Sequence, residues 1–206
     1  NLKQLRHYGN GVVKGIDFSP DSSKFIVLTS VSIQMNNAER GEWIWDEDLD
    51  INYKQALFAE DGLTIRAITQ SGAIHILDTE SGKLIKVVLP AQPNNIYAYL
   101  SQSGEYLTVF DIDRNISVYE GGTGDTLLDK APIPSKYNLE STYLTPDGSQ
   151  LILFPSLRSD PIKVWDSRSA DPLYNLEWSA ARYQTLLTMQ FSKNGEKLGL
   201  VTNGRS

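Results

Sequence analysis

Five short stretches of this chain are near copies of one another, and their spacing restricts its fold more than any other feature. They are Ile16-Asp17-Phe18-Ser19-Pro20-Asp21-Ser22-Ser23-Lys24-Phe25, Leu57-Phe58-Ala59-Glu60-Asp61-Gly62 and Tyr99-Leu100-Ser101-Gln102-Ser103-Gly104-Glu105-Tyr106-Leu107, followed by Tyr143-Leu144-Thr145-Pro146-Asp147-Gly148-Ser149-Gln150-Leu151 and Gln190-Phe191-Ser192-Lys193-Asn194-Gly195-Glu196-Lys197-Leu198. Each reads as an apolar run, a tight polar turn and a second apolar run. Asp-Gly and Asn-Gly supply the positive φ that such a turn demands. Aligned at the turn, Ser22, Gly62, Gly104, Gly148 and Gly195 recur at intervals of 40, 42, 44 and 47 residues. A β-sandwich with evenly spaced hairpins accounts for the turns but not for five matched copies at a nearly constant interval.

A second motif follows each of the middle three copies. Ala73-Ile74-His75-Ile76-Leu77-Asp78, Asn115-Ile116-Ser117-Val118-Tyr119-Glu120 and Pro161-Ile162-Lys163-Val164-Trp165-Asp166 each end on an apolar or aromatic residue plus an acid, ahead of a turn and a further strand. The first unit offers a looser copy, Gly41-Glu42-Trp43-Ile44-Trp45-Asp46, after what reads as an insertion around Gln34-Met35-Asn36-Asn37-Ala38. Four short strands in about 40–45 residues are the period and content of a propeller blade. With Trp45-Asp46 and Trp165-Asp166, the variants Leu77-Asp78 and Tyr119-Glu120, and the turns Ser19-Pro20-Asp21 and Thr145-Pro146-Asp147-Gly148, the chain resembles a divergent member of the WD40-repeat family over nearly its whole length. The family's Gly-His dipeptide is missing from every unit, and only His7 lies near the place of its histidine. The family's buried His–Asp network is therefore not carried over.

The expected fold is an all-β propeller of four-stranded antiparallel blades, about four and a half of them. The blades fall at about 11–53, 54–92, 93–134 and 137–180, with a partial one at 185–206. Residues 1–8, with Leu2-Lys3-Gln4-Leu5-Arg6, read as a closing outer strand. One closing strand and a two-stranded last unit leave a four-stranded blade one strand short, so the expectation is a piece of a longer propeller of about six to eight blades.

Composition removes several function classes. Of the 206 residues, 40% are hydrophobic and 21% charged, enough to build a core. No run of about 18 apolar residues exists, so no membrane span is expected. There are 25 acidic against 19 basic side chains, a net charge of −6, and no nucleic-acid partner is expected of such a chain. The absence of cysteine excludes disulfides, thiolate metal sites and thiol nucleophiles, and leaves both cytosolic and exported placements open.

Chemical motifs are sparse. His75 alternates with Ile74 and Ile76 and reads as a packed or surface strand residue; with His7 it completes the histidine inventory, and no nucleophile-elbow pattern accompanies either. Gly9-Asn10-Gly11-Val12-Val13-Lys14-Gly15 reads as a turn, because its glycines are one residue too far apart for a dinucleotide loop and it precedes a strand instead of opening a helix. Gly121-Gly122-Thr123-Gly124-Asp125 reads as a turn because it lacks the following Lys-Ser/Thr of a phosphate loop. The acidic turns Asp46–Asp50 and Asp111–Asn115 space oxygen-bearing side chains by two, but lack the glycine and bidentate glutamate of a calcium loop. They read as solvated turns, with Asp113 accepting backbone N–H bonds. No cofactor and no metal site is expected.

In a propeller the strands are committed to packing, so function lies on the two rims. The resemblance implies a non-catalytic interaction scaffold that binds a protein partner through rim loops. The alternative is a ligand-, glycan- or calcium-binding propeller or the sensor domain of a larger protein; a propeller enzyme ranks below both. Trp178, Arg182 and Tyr183, in the connection between two units, are the residue types that anchor protein interfaces and are the expected partner-binding residues.

Overall fold

A computed structural model describes residues 11–48, 50–156, 160–176, 185–192 and 197–203, and every regular element among them is a strand. Blade one holds β1 (Val13–Phe18), β2 (Lys24–Thr29), β3 (Ser32–Asn37) and β4 (Trp43–Asp48). Blade two holds β5 (Tyr53–Phe58), β6 (Thr64–Thr69), β7 (Ile74–Asp78) and β8 (Leu84–Leu89). Blade three holds β9 (Asn95–Leu100), β10 (Tyr106–Asp111), β11 (Asn115–Glu120) and β12 (Thr126–Pro132). Blade four holds β13 (Tyr137–Leu144), β14 (Gln150–Pro155), β15 (Ile162–Asp166) and β16 (Pro172–Leu176), and a last sheet pairs β17 (Thr185–Phe191) with β18 (Leu198–Asn203). Each blade is one antiparallel meander in chain order. The closing strand expected over residues 1–8 lies outside the described residues.

The blades stack face to face, which is why their middle strands are almost continuously apolar. Alternate residues of one strand serve two neighbours. In β6, Ile65 and Ala67 join Ile26, Leu28, Ile33 and Met35 of blade one, while Ile68 joins Ala98, Leu100, Leu107 and Val109 of blade three. In β14, Leu151 and Leu153 pack toward blade three, while Ile152 and Phe154 pack with Phe191 of the last sheet. Each such buried aliphatic side chain contributes about 1.5–3 kcal/mol, so the core is divided into inter-blade layers. The first strands lie inside, β1 beside β5 and β9 beside β13. The fourth strands lie outside, and β4, β8 and β16 are largely exposed.

Two sequence expectations are corrected in blade one. The acidic stretch from Asp46 is strand β4 as far as Asp48 and not a turn, with Asp46 accepting from Gln34 Nε2 (2.7 Å). Gln34–Asn37 is not an insertion but part of β3, and Trp45-Asp46 lies on β4, opposite Met35 and Gln34. The strand Ser32–Asn37 hides in the sequence because one of its faces is polar; Ile33 and Met35 enter the core, yet Ser32, Gln34 and Asn36 are also fully buried.

Candidate interaction surface

The loops gather on two rims. The first rim carries the turns between first and second strands and those between third and fourth strands. The second carries the remaining turns and the connections between blades.

The repeated motif is a self-capping turn on the first rim. Ser19 Oγ donates to Asp21 Oδ1 (2.7 Å), Asp21 accepts the Ser23 amide (3.0 Å), and Ser19 Oγ accepts the Lys24 amide (2.9 Å). Blade four repeats this with Thr145 and Asp147 (2.6 Å), the Ser149 amide (3.1 Å) and the Gln150 amide (3.0 Å). Blade three substitutes Ser101 and Ser103 (2.9 Å), and blade two, with Ala59 in the hydroxyl position, keeps only the Leu63 amide to Asp61 (2.8 Å). The aligned turn residues Ser22, Gly62, Gly104 and Gly148 all have positive φ, between 60° and 75°. Gly195 lies outside the described residues. The Ser19 hydroxyl, with the Ser23 amide and hydroxyl, pulls the Asp21 carboxyl down to about 2. At Asp147 partial burial opposes the same shift, but the Thr145 and Ser149 donors prevail and its pKa is lowered.

The acids that end the third strands have a matching task. Asp78 accepts the Ser81 amide (2.8 Å) and hydroxyl (2.6 Å), and Asp166 accepts the amides of Arg168 (2.8 Å) and Ser169 (2.9 Å). Blade one uses Asn37, whose Oδ1 accepts the Arg40 amide (2.8 Å).

At the inner end of this rim the turns of four blades enclose a cleft of about 550 Å³. Its walls include Asp17, Phe18 and Pro20 of blade one, Phe58 and Glu60 of blade two, and Pro146 of blade four. Gln102 and Ser103 of blade three line it too, and Ser103 Oγ donates to the Pro146 carbonyl (2.6 Å). Asp17 Oδ2 accepts the Phe58 amide (2.8 Å) and thereby ties blade one to blade two. Burial raises the Asp17 pKa, against the backbone amides of Phe58 and Phe18. Phe18 is 56% exposed and Leu63, on the neighbouring turn, 71%.

The residues singled out from sequence fare differently. Trp178, Arg182, Tyr183 and His7 lie outside the described residues. His75 is buried in blade two, its Nδ1 2.7 Å from the Tyr53 hydroxyl, with burial lowering the imidazole pKa and pushing Tyr53 up to about 12. In the turn between β10 and β11, Asp111 and not Asp113 does the capping, accepting the Asn115 amide (2.8 Å) and side chain (3.0 Å). Asp111 ends its strand facing back over the turn, within reach of the amide four residues on. Among the described residues no three His, Asp or Glu side chains converge as a metal site. Asp17, Phe18, Glu60 and Gln102 escaped sequence reasoning as site residues, although they flank the repeated turn. The usable signal was that a first-strand turn in a blade lies next to the axis.

No family model matches the chain. Among curated proteins, echinoderm microtubule-associated protein-like 2 of Mus musculus is 24% identical over 178 residues, 81% of this chain and 27% of that protein. Among solved structures, the Cps50 (Swd1) β-propeller domain of Myceliophteria thermophila aligns with a TM-score of 0.68 at 12% identity, over 95% of this chain and 63% of that one. Kuenenia stuttgartiensis hydrazine synthase aligns with a TM-score of 0.64 at 15% identity, over 98% of this chain and 59% of that one. The chain thus spans less than two thirds of each of the three. Repeat, blades and neighbours together make it a β-propeller whose repeats are similar to those of WD40 proteins. Among the described residues no helix is long and apolar enough to cross a membrane.

Proposed function

We propose that the chain is a non-catalytic protein-interaction scaffold whose partner docks on the first rim, across the mouth of the axial cleft. One observation carries this: the cleft offers exposed Phe18 with Pro20 and Pro146 beside the carboxylates of Asp17 and Glu60, on turns that their own hydrogen bonds hold in place. Rigid turns lower the entropy cost of docking, and an exposed aromatic supplies the apolar anchor. The chemistry of an enzyme finds little support, since His75 is engaged with Tyr53 inside a blade and the strand-end acids are engaged with turn amides. The name of the mouse relative describes association with microtubules, which agrees with a protein partner. Trp178, Arg182 and Tyr183, in the connection between two units, are proposed as a protein contact separate from the cleft.

A photo-crosslinking residue at Leu63 on the first rim, compared with one at Ile112 on the second, tests rim docking in the native host. Rim docking predicts a discrete heterologous adduct from Leu63 and a much weaker one from Ile112. Equal adducts, or none from Leu63, overturn it.

A further inference from the structure

Several acids elsewhere on the first rim are occupied. Asp21, Asp78, Asp147 and Asp166 are held by turn donors, Glu105 is paired with Arg66, and Glu80 with Lys24. Asp17 and Glu60 differ. Asp17 meets only backbone amides, and no lysine or arginine among the described residues pairs with either carboxylate. They reach the same cleft from neighbouring blades, between the apolar surfaces of Phe18, Phe58 and Pro20. Asp17 is partly buried there and Glu60 exposed, and a cation brought to a partly desolvated carboxylate gains more than it would at an open surface. An apolar wall alongside matches the long methylene stem of a basic side chain.

We propose that the mouth receives a lysine or arginine side chain, carried next to an apolar residue on an extended segment of a protein partner. The charge sits against Asp17 and Glu60, and the apolar neighbour against Phe18 and Pro20. This rests on rim docking and names the chemistry of the partner. Among the described residues no third His, Asp or Glu side chain joins the two acids as a metal site.

The test is an amide NMR titration of the protein with acetyl-Phe-Arg-amide and with its citrulline counterpart, which has the same shape and no charge, at millimolar peptide. The arginine peptide is expected to shift the amides of Phe58, Ala59 and Ser103, and the citrulline peptide to bind about tenfold more weakly. Asp17→Asn keeps an oxygen to accept the Phe58 amide, so the blade contact survives while affinity falls about tenfold; Glu60→Gln loses less, and Asp113→Asn on the far rim loses nothing. Equal binding of the two peptides, undiminished binding by Asp17→Asn, or no shift at those amides overturns the proposal. A Leu63 adduct without these peptide effects overturns the basic-residue assignment and leaves rim docking standing.

Discussion

Blades one and four both carry a Trp-Asp dipeptide, and they use it in different strands. In blade four, Trp165 is on the third strand, its ring edge-on to Tyr137 with centroids 6.3 Å apart, and Asp166 caps the next turn. In blade one, Trp45 is on the fourth strand and its Nε1 donates across the blade boundary to the Thr79 carbonyl (2.9 Å). The place of Trp165, opposite Leu151, is taken in blade one by Asn36, opposite Phe25. Neither polar atom of the buried Asn36 amide has a partner, and neither does the buried indole N–H of Trp165. A dipeptide therefore does not identify its strand. The positive-φ turn does, because it sits at the same place in every described blade.

The turn gives the largest contrast. Gly148 has φ +70°, and a Cβ there would run into the Tyr106 ring, whereas blade one tolerates Ser22 at φ 60° in the equivalent place. Gly148→Ala should cost about 3 kcal/mol from strain and overlap together. Ser22→Gly should gain about 0.5 kcal/mol, since it relieves a left-handed side chain but frees the unfolded backbone. Urea midpoints that move in the same direction for both would break the equivalence of the two turns.

The tryptophans come next. Trp45→Phe strands the Thr79 carbonyl and should cost about 1–2 kcal/mol beyond lost packing, while Trp165→Phe removes a donor that already lacks an acceptor and should cost about 1 kcal/mol less. Equal losses in denaturant unfolding would show that the inter-blade bond adds nothing.

The smallest effect is electrostatic. The folded Asp21 pKa, about 2, lies below its unfolded value, so its stabilising contribution is complete above about pH 4 and is lost as pH falls toward 2. Ser19→Ala removes the first cause of the shift and should move the Asp21 carboxyl resonance, followed by NMR, back toward the ordinary aspartate range. An unmoved titration would sever the link between the repeated hydroxyl and the acid.

Much of the fold was legible because its punctuation is local. The turn motifs bond residues two to five positions apart, as Ser19 does with Asp21 and Lys24, so near-identical words mark near-identical turns. The apolar runs between them, such as Leu151-Ile152-Leu153-Phe154, announced strands buried on both faces. The third strand of blade one was not legible, since a polar face in a fully buried strand looks like a loop in sequence. The candidate site was less legible still: its members are ordinary residues beside each turn, made special only by meeting.

What the sequence determined by itself is the repeat, its period and the turns, because each is closed by hydrogen bonds within a few residues. Which strand holds Trp45, and that Asp17 and Glu60 share a cleft with Pro146, was decided only when the blades packed. The bond from the Phe58 amide to Asp17 spans 41 residues, and contacts of that range depend on inter-blade packing that no local pattern encodes.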